Sequence, residues 1–206
     1  MSKPLILASA SPTRRRLLAA AGVEFQHEPA WLDERVIKKN FQSRRRSAID
    51  CALALAEAKA AEVAVRRADA LVIGADQILH CEGRWFDKPA SLEDARNQLQ
   101  LLRGLTHELV TAVCAVEKGS RVWSAVNSAK LTMRQFSDRF LDAYLDAEGM
   151  VVLGSVGTYR LEGTGIQLFS RIEGDYFSIL GLPLLDLVSF LRDHGALASD
   201  WLVLGL

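Results

Sequence analysis

The chain has 206 residues, half of them hydrophobic, with 25 Lys/Arg balanced by 25 Asp/Glu. That is enough apolar material for one substantial core and excludes a disordered chain, while zero net charge argues against bulk attraction to nucleic acid or to a membrane surface. The charge is nevertheless uneven, with 13 Lys/Arg against 7 Asp/Glu in residues 1–67 and 12 against 18 in residues 68–206, a pattern that suits either a small anionic ligand or internal salt bridging.

Residues 5–8 read as a short buried strand. Ser11, Pro12 and Gly22 then punctuate a helix, with Ser as N-cap, Pro at the first helical position and Gly past the last turn. Arg14, Arg15 and Arg16 fall in its first turn and a half, where the helix dipole disfavours each cation by up to about 1 kcal/mol. A phosphate at the helix start, shared by backbone N–H groups, the Ser9 and Ser11 hydroxyls and Arg14, offsets that cost. For Arg15 and Arg16 a solvated face is the preferred reading. No Gly-x4-Gly-Lys-Ser/Thr loop occurs, which excludes a P-loop protein.

Residues 23–28 are expected as the next strand. The adjacent carboxylates Asp33 and Glu34 follow, suited to an acidic loop tip or to a divalent cation. Residues 38–46, basic and free of Gly, read as a mobile connection. Ser47 opens a long helix to about residue 66, whose buried stripe is expected to hold Ile49, Leu53, Ala56, Ala60 and Val63. Lys59 falls at the margin of that stripe, as a snorkelling side chain or a phosphate contact.

Residues 71–89 form the stretch around which the rest is organised: an apolar strand, a turn at Glu82 and Gly83, and a returning strand ending at Lys88 and Pro89. Leu71, Val72, Ile73, Ala75, Ile78 and Leu79 make it too apolar for a surface strand, so a central position is expected. Asp76 lies inside it. On a period of two Asp76 shares a face with Gly74, which leaves room for something to approach, and an ionised carboxylate there requires a cation, a metal or several donors. The alternative is an Asp at the strand end that hydrogen-bonds the turn. Pro89 holds Lys88 extended, on a fixed backbone.

Ser91 caps a helix to about Arg103, which Gly104 stops. Residues 106–117 and 121–134 read as a hairpin around Lys118, Gly119 and Ser120. Residues 137–148 form a helix with Phe140, Leu141, Tyr144 and Leu145 inward, expected to be scaffold. Residues 154–165 are a glycine-rich loop, residues 166–172 a strand, and Pro183 introduces a last helix ending near His194 and Gly195. Residues 196–206 look like a tail that packs on a neighbour. No repeat or linker divides the chain, so one domain over residues 1–206 is expected. Cys51, Cys81 and Cys114 are odd in number and far apart, which speaks against a disulfide framework or zinc site and for a cytoplasmic location; the N-terminal stretch is too short in apolar residues for a signal peptide or span.

Together these pieces resemble the Maf-like nucleoside triphosphate pyrophosphatases. The matching motifs are LASASPTRRRLL at residues 7–18, DE at Asp33 and Glu34, EAKA at residues 57–60, IGAD at residues 73–76, DKP at residues 87–89, and SRIEG and GLPL near the C-terminus. The resemblance implies an α/β fold, elongated and two-lobed as in Maf and ITPase proteins, with a mixed twisted sheet and a cleft between the lobes, and a homodimer. It implies hydrolysis of a nucleoside triphosphate to the monophosphate and pyrophosphate with a divalent cation (Mg2+, Mn2+ or Co2+). Carried over by position, Asp76 is the catalytic acid residue, as base or metal carboxylate. Ser9, Arg14, Lys59 and Lys88 contact phosphate, and Glu34 is the second carboxylate near the metal.

Three positions depart from the pyrimidine-acting branch and resemble the branch acting on 7-methyl-GTP: Thr13 in place of Arg, Gln77 in place of Thr, and Glu162 in place of Gln. A carboxylate at Glu162 accepts hydrogen bonds from a guanine edge, whereas Gln suits the mixed edge of a pyrimidine. The alternatives are a pyrimidine-type (dTTP or UTP) enzyme, a phosphatase with a strand-end Asp nucleophile, and a non-catalytic nucleotide-sensing module linked to cell division. The phosphatase reading wants a second Asp where this chain has Ile78.

Overall fold

The computed structural model describes residues 3–198. They build a mixed α/β fold on a seven-stranded sheet, and the chain divides into two compact units. One comprises the chain up to Asp76, residues 111–127 and residues from Tyr176 onward; the other comprises residues 77–110 and 128–175.

The strands are β1 (Leu5–Ala8), β2 (Gln26–His27), β3 (Leu71–Cys81), β4 (Arg84–Phe86), β5 (Thr106–Glu117), β6 (Ser120–Met133) and β7 (Phe169–Glu173), ordered β2-β1-β3-β5-β6-β7 with β4 paired to β3. β1 runs parallel to both neighbours, with Leu7 opposite Ile73 and Ala8 opposite Gly74. The central place of β3 follows from its composition: every residue from Leu71 to Asp76 is buried.

In the first unit, α1 (Pro12–Ala20) starts at Ser11, whose side chain accepts from the Arg14 N–H, and Gly22 follows with φ 72°. Leu17 and Leu18 of α1 join Leu5, Leu7, Leu71, Ile73 and Ala75 in a core completed by Leu184, Leu187 and Leu191 of α7 (Leu184–Asp193). Each fully buried aliphatic side chain there contributes about 1.5–3 kcal/mol. The opposite face of β3 meets α3 (Ala48–Arg66). A Cβ on Gly74 would overlap the Ala56 carbonyl oxygen and press on Ala60, so the gap predicted at Gly74 admits a helix backbone.

Several expectations for this unit are corrected. Residues 38–43, expected within a mobile connection over 38–46, belong instead to a helix, α2 (Glu34–Ser43), N-capped by Asp33 accepting from Arg35 N–H, with Ile37 and Phe41 half-buried one turn apart. The run of basic residues hid that apolar pair. β2 is shorter than residues 23–28, because Val23 turns into the core. The stripe of α3 is rotated: Ile49 is half exposed and Leu53 only half-buried, while Cys51, Leu55 and Lys59 are buried. Of the expected tail, Ala196 and Leu197 donate to the Leu191 carbonyl and close α7; residues 199–206 lie outside the described residues.

In the second unit, Glu82 and Gly83 both have positive φ, 48° and 78°, the geometry of a two-residue hairpin turn between β3 and β4. Ser91 caps α4 (Leu92–Leu102), and Ser137 caps α5 (Asp138–Glu148), whose buried side is Leu141, Tyr144 and Leu145, with Phe140 half-buried. The glycine-rich stretch is a series of short 3-10 turns, and the last of these takes Thr164–Leu168, so β7 begins at Phe169 rather than at residue 166. His107 is buried against Tyr159 and Phe169, its Nε2 2.8 Å from the Tyr159 hydroxyl. Burial pushes this imidazole down to about 4. Back in the first unit, a four-residue helix that the sequence reading did not anticipate, α6 (Tyr176–Ile179), precedes α7.

Candidate active site

Asp76 ends the buried run of β3, and its partner comes from α3. Because Ala56 and Ala60 let that helix lie against Gly74, Lys59 reaches across and places Nζ 2.6 Å from Asp76 Oδ1. The same ammonium lies 2.7 Å from Glu34 Oε1, at the first residue of α2. Asp76 and Lys59 are only 4% and 9% exposed, so this is a buried ion pair, and the lysine does not snorkel. Asp76 Oδ2 has no hydrogen-bond partner. A buried acceptor left unpaired costs about 1–3 kcal/mol, a cost that a ligand donor or cation would remove.

Ser9 and Arg14 stand on the neighbouring elements. The Ser9 hydroxyl, just past β1, accepts from Ser11 N–H at 3.2 Å and from Arg14 Nη1 at 3.5 Å. Arg14 donates through Nε to the Gly181 carbonyl at 2.7 Å and through Nη1 to the Ala75 carbonyl at 2.9 Å, which ties it to the backbone beside Asp76. Burial pushes the guanidinium below its ordinary range, opposed by the charges of Asp76 and Glu34; it stays protonated. For Glu34, burial pushes the carboxyl up, but Lys59 first, then Lys38 and Arg14, outweigh that and hold it below the ordinary range. The result is two carboxylates and two cations in mutual balance.

Five of the predicted site residues, Ser9, Arg14, Glu34, Lys59 and Asp76, are therefore linked in one unit. The alternative of a strand-end Asp bonded to its turn is set aside, since Asp76 accepts from Lys59. Arg15 bonds His27 at 2.9 Å and Arg16 is exposed, in keeping with their separation from Arg14. The Asp33–Glu34 pair splits: Asp33 caps the helix and Glu34 turns to Lys59. Lys38, one turn after Glu34, was missed because α2 was missed; a Glu four residues before a Lys is otherwise a readable signal. The Gly181 carbonyl left no trace in the sequence.

The other three candidates lie in the second unit. Gln77 follows Asp76 on β3 and is half-buried, with strand alternation turning it to the other face. Lys88 is exposed, two residues past the end of β4 and just before the buried Pro89. Glu162 lies in the glycine-rich loop, its Oε1 3.8 Å from Arg160 Nε.

A profile of the Maf-like protein family matches residues 4–194. The chain belongs to the Maf-like family. It is 54% identical over 193 residues to a nucleoside triphosphate pyrophosphatase of Granulibacter bethesdensis, covering 94% of this chain and 98% of that protein. It is 49% identical over 197 residues to a 7-methyl-GTP pyrophosphatase of Rhizobium meliloti (96% and 99% covered) and 47% identical over 197 residues to one of Mesorhizobium japonicum (96% and 99%). These names place the chain among Maf-like hydrolases acting on acid anhydrides. Among the described residues no helix is long and apolar enough to cross a membrane.

Among those residues no group of three or more His, Cys, Asp or Glu side chains could by itself hold a metal ion. Two hard carboxylates with one oxygen unpaired still fit a cation that takes its remaining ligands from substrate phosphates and water, the usual habit of Mg2+.

Proposed function

We propose that this chain hydrolyses a nucleoside triphosphate between its first and second phosphorus, releasing the monophosphate and pyrophosphate, and that its substrate is 7-methyl-GTP or a closely similar modified nucleotide. The observation that carries the reaction is the unpaired Oδ2 of Asp76, buried beside a lysine and backed by Arg14. An unpaired, ionised carboxylate oxygen in a dry site accepts a proton from water and orients it for attack. The water oxygen bonds to the α-phosphorus, its proton passes to Asp76, and the bond to the bridging oxygen breaks with its electron pair leaving on pyrophosphate. Lys59, Arg14 and Lys88 supply positive charge for the triphosphate chain, and the Ser9 hydroxyl donates to a phosphate oxygen. Glu34 and Asp76 would hold a divalent cation, which supplies charge neutralisation and a more acidic water when bound. No phospho-enzyme is formed.

The base preference rests on Thr13, Gln77 and Glu162 and on the similarity to two 7-methyl-GTP pyrophosphatases. The test is kcat/KM of purified protein with Mg2+, Mn2+ or Co2+ on 7-methyl-GTP, UTP and dTTP. We expect 7-methyl-GTP to lead by about tenfold or more, the scale that one hydrogen-bonding position supplies. Faster cleavage of UTP or dTTP overturns the preference while leaving the reaction.

A further inference from the structure

The helix α5, expected to be scaffold, ends in a carboxylate that grips the glycine-rich loop. Glu148 is the last residue of α5, and its side chain is only 7% exposed. Its Oε1 accepts from the Thr164 N–H at 3.2 Å and from the Thr164 hydroxyl at 2.5 Å, and its Oε2 accepts from Arg160 Nη1 at 3.2 Å. Arg160 and Thr164 are the two ends of a five-residue turn whose middle residue is Glu162. Burial pushes the Glu148 carboxyl up, but the Thr164 and Arg160 bonds outweigh it and hold the group ionised, below its ordinary range.

The turn is closed from inside as well. Gly163 N–H donates to the Arg160 carbonyl at 3.1 Å, and a Cβ on Gly165 would collide with the Arg160 backbone, so only glycine allows the chain to fold back there. Upstream, Tyr144 of α5 donates to the Thr158 carbonyl at 3.1 Å, and Thr158 is held at φ 66°, an unfavourable conformation for a β-branched residue. A loop this constrained presents its outward side chain from a fixed place. Arg160 also extends toward Glu162, Nε to Oε1 3.8 Å, so one guanidinium spans the clamp and the specificity candidate.

We propose that Glu148 is a positioning residue for base discrimination: by holding Arg160 and Thr164 it sets where Glu162 presents its carboxylate to the nucleobase. The inference rests on the reading of Glu162 as a base contact and assigns the control of that contact to a residue that touches no substrate. Glu148→Gln keeps the size and one acceptor for Thr164 but sets an amide N–H2 or a weaker acceptor against Arg160. Discrimination between two bases then weakens, because it depends on hydrogen bonds held to within a few tenths of an ångström.

The test measures kcat/KM for 7-methyl-GTP and for UTP in wild type, Glu148→Gln, Glu162→Gln and the double variant, with thermal unfolding alongside. The expected result is a five- to tenfold lower preference ratio in Glu148→Gln, carried by 7-methyl-GTP alone, and no further loss when it is added to Glu162→Gln. An equal fall for both substrates, or ratio losses that multiply in the double variant, would mean that Glu148 only stabilises the fold, and overturns the proposal. If Glu162→Gln itself leaves the ratio unchanged, the reading of Glu162 fails and takes the proposal with it. Should Glu148→Gln not fold, Thr164→Val, which removes one of the three bonds, is expected to lower the ratio about twofold, and an unchanged ratio there counts against the proposal.

Discussion

Each unit buries a polar cluster, and the two solve the burial problem in opposite ways. Around Lys59 the groups stay charged: Asp76 and Glu34 share one ammonium and one carboxylate oxygen is left open. Around His107 the groups are neutral: the imidazole is pushed down to about 4, Tyr159 is pushed well above its ordinary value, and the two bond each other. Neutralisation is the cheaper solution for a core, because an ion taken from water costs several kcal/mol unless it is well paired. Keeping charge at Lys59 suits a cluster that meets a further charged group, and Asp76 Oδ2 is left without a hydrogen-bond partner.

The largest effect that would break this contrast is on turnover. Asp76→Asn keeps the shape of the side chain but cannot take a proton, and we expect kcat to fall about a thousandfold with the cooperative unfolding transition retained; full activity would make the cluster structural. Next comes Lys59→Met, which leaves two carboxylates facing each other without their cation. A loss of about 3–5 kcal/mol in denaturant titrations at neutral pH is expected, as for other broken buried pairs. In wild type the contribution from Glu34, held below its ordinary 4.5, is present above about pH 4.5 and fades as pH falls through its folded value, so the gap between variant and wild type narrows in acid. A gap that stays constant down to pH 3 contradicts the pairing.

The smaller effect sharpens the neutral side of the comparison. His107 titrates at about 4 in the folded chain against an ordinary 6.5, so between those values the unfolded chain binds more protons and stability drops as pH is lowered. Over that window the loss amounts to about 3 kcal/mol. His107→Phe is expected to remove most of that slope at the cost of about 1 kcal/mol at pH 7 from the lost Tyr159 bond. An unchanged slope would show that His107 takes up its proton without leaving the core.

What could be read from the sequence was what local chemistry dictates. Ser11, Ser47 and Ser91 each cap the helix they were expected to start, and the apolar run around Asp76 gave β3 its central place. Failures came where local contrast is weak. α3 is so rich in alanine that hydrophobicity hardly marks a face, hence the misjudged stripe and the misplaced Lys59; α2 shows only two apolar residues of its inner face among six charged or amide neighbours. The Arg14–Gly181 bond and the open Asp76 oxygen arise from register between segments far apart in the chain, which no single stretch encodes.

The most direct test of the account is the product released when purified protein and a divalent cation act on 7-methyl-GTP. The account predicts one pyrophosphate and one monophosphate per nucleotide consumed, with no single phosphate released and about a thousandfold slower release of both from Asp76→Asn. Stepwise release of orthophosphate with a nucleoside diphosphate left behind would contradict it.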